Sequence, residues 1–344
     1  MQKIEKYFEE AIKNNASDLH LVGEEKPILR VKGQLNYIEK NPLPNTELEN
    51  EITKILNPEQ LKKFNKNLEL DFSYEQSGFR FRINLHRQQG KIGLAARIIP
   101  EEIPSPEDLS FEQPLLNLTQ LLNGLVLVIG PAGSGKSTTI ASMIEEINRT
   151  RKAHIITIED PIEFSFKNKK SLIEQREIGR DTKSFAEALK HVLRQDPDII
   201  MVGEMRDPET ISTVLTAAET GHLVFSTLHT ATAAETIERI VDVFSGDKQK
   251  QILVQLSSVL RGVVAQQLIA SSSGTLIPAR EILLNNPAIA NLIRSNKSSQ
   301  IYSAIQTGRE TGMITMDQAV KNLFEKGLID STMASKRSGR NRTV

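Results

Sequence analysis

The residues best suited to chemistry lie in a glycine-rich loop that follows an apolar run. The pattern G-x-x-x-x-G-K-[ST] occupies Gly130–Ser137, directly after Val126–Ile129. Glycines leave backbone N–H groups open to an anion, and the helix that follows turns its positive end toward the same point. Lys136 supplies a mobile positive charge to the β and γ phosphates, and the Ser137 hydroxyl is placed to bind Mg²⁺. The residues expected to line this nucleotide phosphate site are Gly130, Pro131, Ala132, Gly133, Ser134, Gly135, Lys136, Ser137 and Thr138.

A second polar cluster follows the apolar run Ile155–Ile158, where Glu159 and Asp160 are joined by Glu163 after a proline. Carboxylates do not sit deep in a core without partners, so three of them at a strand end should face a polar site. One of them could polarise an attacking water. Spacing alone also allows a solvated acidic turn.

The buried run Ile199–Val202 ends in Gly203 and Glu204. In a P-loop fold the strand neighbouring the phosphate loop usually carries an acid that holds Mg²⁺ through water or orients the nucleophile, and Glu204 is the candidate here. Asp207, directly before Pro208, has the pattern of a helix N-cap and first-turn proline, so we expect a cap rather than a catalyst.

Two histidines, His222 and His229, bracket the apolar strand within Gly221–Thr230. A histidine at the end of a strand beside the phosphate loop could hydrogen-bond the γ-phosphate and report its presence. His20 and His86 lack partners at metal-ligand spacing and are expected to be structural. The sequence contains no cysteine, which excludes disulfides and any thiolate zinc site.

Composition excludes several other classes. The 344 residues carry 43 Lys and Arg against 43 Asp and Glu, and only 5% are aromatic, so no basic surface for nucleic acid is indicated. No apolar run approaches the roughly 18 residues that span a bilayer, and the start of the chain lacks the apolar core of a signal peptide. We therefore expect a cytoplasmic chain without stable membrane insertion.

The chain is long enough for two domains. Short alternating runs and helical spacings predict a small α+β domain over residues 1–99. Three prolines and four acids in Ile99–Phe111 indicate a linker, placed at 100–113. Strands and helices then alternate over 114–330, which predicts a parallel sheet with its ligand site at the carboxyl ends of the strands, followed by a helical cap. Residues 331–344 have the composition of a disordered basic tail.

These motifs, taken together and in order, resemble the secretion ATPase superfamily that powers type II secretion and type IV pili, and within it the pilus retraction, or twitching-motility, ATPases. The segments that carry the resemblance are SDLHL at Ser17–Leu21, the phosphate loop, EDPIE at Glu159–Glu163, EQREIG at Glu174–Gly179, LRQDPDIIMVGEMRD at Leu193–Asp207 and AAETGHLVFSTLHT at Ala217–Thr230.

The resemblance implies an α/β chain in which a RecA-like P-loop domain follows a smaller PAS-like α+β domain. It implies ATP hydrolysis with Mg²⁺, a ring of six copies, and a place at the cytoplasmic face of the inner membrane against the pilus platform protein, with neither nucleic acid nor zinc. Catalytic roles fall to Glu163 as general base, Glu204 as the Walker B acid, Lys136, His229, and the N-terminal arginines Arg82 and Arg97. Glu159, Asp160 and His222 join the phosphate loop in nucleotide binding, and Ser137 and Glu204 hold the Mg²⁺.

One helix departs from the family. Retraction ATPases carry a sequence close to AIRNLIRE, whereas this chain has AIANLIRS, with Ala290 and Ser295 in place of Arg and Glu. The difference bears on the coupling of hydrolysis to pilus movement, because the missing Arg and Glu could have formed a switchable contact. The alternatives are an extension or secretion ATPase of the superfamily, a RecA-like nucleic-acid motor, and a nucleotide-gated scaffold. The absence of a four-cysteine zinc element, and a start close to SDLHL, favour retraction over extension.

Overall fold

The computed structural model describes residues 3–31, 33–99, 102–272 and 274–331. By contacts, the chain divides into two compact units. The first unit is Met1–Glu102 together with Pro161–Ser165, and the second is Ile103–Asp160 together with Phe166–Val344. Part of the predicted linker, at 100 and 101, and all but the first residue of the predicted tail lie outside the described residues.

Over its described residues, the first unit is an antiparallel sheet of six strands with three helices. Apolar residues at helical spacing bury one face of the first helix, where Ile4, Phe8 and Ala11 are 0–1% exposed. The strands run in the order β3-β2-β1-β6-β5-β4. The elements are α1 Lys3–Lys13, β1 Asp18–Val22, β2 Ile28–Val31, β3 Gln34–Tyr37, α2 Asn45–Ile55, α3 Pro58–Asn67, β4 Glu69–Gln76, β5 Phe79–Gln88 and β6 Lys91–Ile98.

The register of this sheet aligns three charged residues in one row. Asp18 on β1 pairs with Arg97 on β6, and Arg97 pairs in turn with Arg82 on β5. Directly opposed residues project from the same face of a sheet. The two arginines singled out from the sequence are therefore neighbours, with an acid beside them.

The second unit is built on a seven-stranded sheet in the order β13-β12-β7-β11-β10-β8-β9. Six strands are parallel, but β13 runs antiparallel to β12, so the sheet is mixed rather than wholly parallel as predicted. The strands are β7 Gly124–Ile129, β8 His154–Glu159, β9 Leu172–Glu177, β10 Ile199–Val202, β11 Leu223–Leu228, β12 Leu260–Ala270 and β13 Leu276–Leu284.

Strand order corrects one expectation about the site. The strand that delivers Glu204, β10, is not the neighbour of the phosphate-loop strand β7, because β11 lies between them. Every residue of β7 and β11 is buried, as their unbroken apolar sequences require in a sheet that is covered on both faces. The strand beside the phosphate loop is therefore the one that ends at His229.

Helices of the second unit begin with α4, ahead of the sheet. Strand β9 and helix α6 were not predicted, because β9 is a half-exposed edge strand with the polar sequence LIEQRE and α6 is only eight residues long. The helices are α4 Gln113–Thr119, α5 Lys136–Thr150, α6 Phe185–Val192, α7 Pro208–Glu219, α8 Ala233–Asp242, α9 Asp247–Val259, α10 Pro287–Arg294, α11 Ile301–Thr307 and α12 Met316–Glu325.

Asp207 caps α7, as predicted. Its carboxylate accepts hydrogen bonds from the backbone N–H of Thr210 at 2.9 Å and from the Thr210 hydroxyl at 2.7 Å. We expect Asp207→Ala to lower the free energy of unfolding by about 0.5–2 kcal/mol, measured by urea denaturation. Asp207→Ser, which keeps a capping oxygen, should retain most of that stability. A serine variant that unfolds as readily as Asp207→Ala would show that the side chain does not stabilise the helix as a cap.

Candidate nucleotide-binding site

The phosphate loop needs glycine for two physical reasons. Gly130 has a φ of 145° and Gly135 a φ of 82°, which side-chain-bearing residues rarely adopt. A Cβ at Gly130 would also lie 2.3 Å from the carbonyl oxygen of Gln266 on β12. The first backbone bond of α5 runs from the N–H of Thr139 to the carbonyl of Gly135. The N–H groups of the preceding turn have no partner within the helix, so they are available to an anion.

At the carboxyl ends of the strands, the imidazole of His229 lies between the side chains of Lys136 and Glu204. The Lys136 ammonium donates to the carbonyls of Gly130 at 2.8 Å and Pro131 at 3.0 Å. It is also 3.5 Å from Nδ1 of His229, whose Nε2 is 3.5 Å from Oε2 of Glu204. The imidazole therefore bridges the cation at the phosphate loop and the acid that follows β10.

Glu204 has a second partner that the sequence did not suggest. Nε of Arg206 donates to the same oxygen, Oε2, at 2.5 Å, and the Glu204 side chain is only 17% exposed. Glu204 therefore presents one carboxylate oxygen, Oε2, to both the arginine and the histidine. Its oxygens and the half-buried Ser137 hydroxyl are of the type that Mg²⁺ prefers, so these two residues fit the ion.

Glu159 is held within the sheet, away from the phosphate loop. It is 5% exposed, and its Oε1 accepts hydrogen bonds from the Thr157 hydroxyl at 2.7 Å and from the Gln175 amide at 3.2 Å. Strand β8 lies three strand spacings from β7, about 14 Å at roughly 4.8 Å each. Glu159 therefore links β8 to β9 and lies away from the phosphate loop. Asp160 follows it at the same strand end and is exposed.

His222 does not join the phosphate loop in this unit. It precedes β11, whereas His229 follows that strand, and the six intervening residues span about 20 Å. Nδ1 of His222 lies 3.0 Å from the carbonyl oxygen of Ala217 and 3.1 Å from the Thr220 hydroxyl. The sequence prediction grouped the two histidines because both flank the same apolar run, but only His229 stands at the carboxyl end of that strand.

The predicted arginines are paired with carboxylates in the first unit. Nε of Arg97 donates to Oδ1 of Asp18 at 2.9 Å, and Nη1 of Arg82 lies 3.9 Å from Oε1 of Glu163. Burial acts to raise the pKa of Asp18, but hydrogen bonds from Arg97 and Ser17 outweigh it and hold that pKa below its usual value. The aspartate of SDLHL thus orients one arginine, while the proposed base contacts the other.

Sequence reasoning missed two buried polar residues beside the loop, Gln266 on β12 and Arg280 on β13. They are 2% and 1% exposed. The signal was a polar side chain in the middle of a largely apolar strand, because such a side chain requires a partner when it is buried.

A phosphate loop at the carboxyl edge of a RecA-like sheet, in a chain that begins with a smaller α+β unit, defines the class of P-loop ATPases. The chain matches the family described as type II/IV secretion system protein over residues 1–321, and it belongs to that family. The family is as the sequence predicted, and so is the fold class, an α/β chain in which a RecA-like domain follows a smaller domain in the sequence.

Within this family, the chain is similar to proteins of pilus retraction and twitching motility. The chain is 48% identical over 327 residues to the type IV pilus retraction ATPase PilT of Pseudomonas aeruginosa, covering 95% of each protein. It is 48% identical to a twitching motility protein of Neisseria gonorrhoeae, over 91% of this chain and 84% of that one. A crystal structure of the pilus retraction motor PilT with bound ADP superimposes with a TM-score of 0.92 at 45% identity, covering 100% and 99% of the two chains.

In the part of the chain that the structure describes, each helix is too short or too polar to cross a bilayer.

The helix AIANLIRS begins with Asn286 as its N-cap and buries Ile289 and Ile293. Ala290 is half-buried and Ser295 is exposed at the helix end, so the family's Arg and Glu would both reach toward the surface of the helix.

Proposed function

We propose that this chain is a hexameric ATPase motor that drives retraction of type IV pili. The observation that carries the proposal is the line from Lys136 through His229 to Glu204 at the phosphate loop. Its membership in the secretion ATPase family and its 48% identity to a pilus retraction ATPase support the direction of movement.

In the proposed reaction, the loop N–H groups and Lys136 bind the phosphates of ATP and stabilise the charge that grows on the transferring group. Ser137 and Glu204 would hold Mg²⁺, and the ion would supply positive charge to the phosphate oxygens. Glu163 accepts the proton of the attacking water. His229, between Lys136 and Glu204, responds to the presence of the γ-phosphate because its two nitrogens contact both groups.

We propose a ring because a catalytic site that needs Arg82 or Arg97 of the first unit is incomplete in an isolated copy of the chain. Arg82 is 44% exposed and Arg97 is 72% exposed, so both guanidinium groups are accessible. Positive charge delivered to the transferring phosphate accelerates hydrolysis strongly. The motor is proposed to act at the cytoplasmic face of the inner membrane, on the platform protein of the pilus.

We expect Arg82→Ala and Arg97→Ala each to lower the steady-state ATPase rate, by about 10-fold or more, because each removes a charge supplied to the transition state. Hydrolysis by the unaltered protein should rise more than linearly with its concentration. Arg309→Ala, at an exposed arginine of the second unit, is the matched control. If both single variants keep the parental rate, the arginines do not serve the active site.

The rival classes predict different kinetics. A nucleic-acid motor would be stimulated by DNA and would bind it with a steep salt dependence. The chain carries 43 basic and 43 acidic residues, so we expect neither effect. The test is steady-state hydrolysis of Mg·ATP with and without DNA. Stimulation by DNA would overturn the pilus assignment, and absence of hydrolysis would favour a nucleotide-gated scaffold.

A further inference from the structure

A buried hydrogen-bonded chain joins the phosphate loop to residues 109–112. Gln266 and Arg280 lie directly opposite each other on β12 and β13, and Nε of Arg280 donates to Oε1 of Gln266 at 2.9 Å. At 2% and 1% exposure, both are shielded from water. Buried polar groups that lose a partner are costly, so this pair depends on the contacts at each of its ends.

At one end of this chain of contacts, Gln266 is hydrogen-bonded to the phosphate loop and to the first turn of α5. Its Nε2 donates to the carbonyl of Ser134 at 2.6 Å, and its Oε1 accepts from the Thr139 hydroxyl at 2.8 Å. A Cβ on Gly135 would lie 2.9 Å from Nε2 of Gln266, so the amide packs directly against the loop backbone. The position of Gln266 therefore constrains the backbone that presents N–H groups to phosphate.

At the other end, Arg280 is hydrogen-bonded to the segment that precedes α4. Its Nη1 bonds a carboxylate oxygen of Glu112 at 3.0 Å, and its Nη2 donates to the carbonyl of Leu109 at 3.0 Å. The guanidinium carbon lies 5.1 Å from the centre of the Phe111 ring. Ser110, whose carbonyl is 3.4 Å from Nη1, has a φ of 49°, which is uncommon for a residue other than glycine.

We propose that Gln266 and Arg280 act as a positioning relay, through which the geometry of the phosphate loop and the anchoring of residues 109–112 depend on each other. The inference rests on the proposed nucleotide binding at this loop. Arg280 is a buried cation whose carboxylate partner is Glu112. Loosening that partner shifts the guanidinium, and the shift passes through Gln266 to the loop. Residues 109–112 lie shortly after Ile103, where the second unit starts.

Two conservative substitutions interrupt the relay at opposite ends. Gln266→Glu keeps the acceptor for Arg280 and Thr139 but replaces the donor to Ser134 with an oxygen. Glu112→Gln keeps the shape of the side chain but removes the charge that pairs with Arg280. Glu107→Gln, an exposed residue of the same segment outside the relay, is the matched control.

The probe is Mg·ADP, titrated by calorimetry well below the melting temperature of each variant. We expect Gln266→Glu and Glu112→Gln each to raise the Kd by about fivefold or more, because coupling between sites commonly has that size. Glu107→Gln should leave the Kd unchanged. The double variant should bind no more weakly than the weaker single variant, since both substitutions interrupt one chain of contacts.

The relay would be overturned if Glu112→Gln had the same Kd as Glu107→Gln, or if the two fold-changes multiplied in the double variant. In either case, ATP hydrolysis by the unaltered protein would leave the proposed function standing. Failure of the unaltered protein to bind Mg·ADP would overturn both. Hydrogen exchange in the unaltered protein is a second test. Mg·ADP should slow exchange of the amides at 109–112, and unchanged exchange there would contradict the relay.

Discussion

Lys136→Ala is expected to lower the rate of ATP hydrolysis by about 10²–10³-fold, the usual loss when a preorganised group that stabilises transition-state charge is removed. Lys136 is 8% exposed and its ammonium donates to two loop carbonyls, so its position is defined before any phosphate arrives. The measurement is steady-state phosphate release at saturating Mg·ATP.

Lys152→Ala is the matched control for this substitution, because Lys152 is an exposed lysine beyond the end of α5. It should hydrolyse ATP at the parental rate. A Lys136→Ala protein that melts normally and hydrolyses within threefold of the parent would show that the loop lysine does not stabilise the transition state.

Glu163→Gln is expected to lower kcat by about 10²–10⁴-fold, the range for a positioned general base, while leaving the affinity for ATP nearly intact. The amide keeps the size of the side chain but cannot take a proton from water. Nη1 of Arg82 lies 3.9 Å from the Glu163 carboxylate, so the charge of the pair also changes. Nucleotide affinity and single-turnover hydrolysis should be measured on the same sample.

Glu187→Gln provides the control, since Glu187 is an exposed acid in the first turn of α6. If Glu163→Gln turns over ATP at a near-normal kcat, the base is another residue. Glu204→Gln then becomes the decisive variant, because Glu204 is the acid that contacts His229 at the loop.

Features that depend on a few adjacent residues could be read from the sequence. The phosphate loop follows from its glycines and lysine, and the cap at Asp207 follows from the proline after it. Strands such as β7 and β10 were evident because they are buried on both faces, so their sequences are apolar without a break. Glu204 and His229 were found because each directly follows such a strand.

Features that depend on the order of strands could not be read in this way. Sequence does not reveal that β11 lies between β7 and β10, and so does not tell that the strand beside the phosphate loop leads to His229 rather than to Glu204. Glu159 and Glu163 belong to one acidic motif, yet Glu159 is bonded within the sheet and Glu163 belongs to the first unit. Gln266 reaches Ser134 across 132 positions of sequence, a pairing that only the assembled sheet creates.

The central claim is that ATP hydrolysis by this chain retracts type IV pili. The most direct test is deletion of its gene in the parent organism, followed by imaging of labelled pili on living cells. We expect pili to accumulate on the surface and to stop retracting, with recovery on expression of the unaltered chain but not of Lys136→Ala. Loss of surface pili after the deletion would contradict the account and assign the chain to pilus extension.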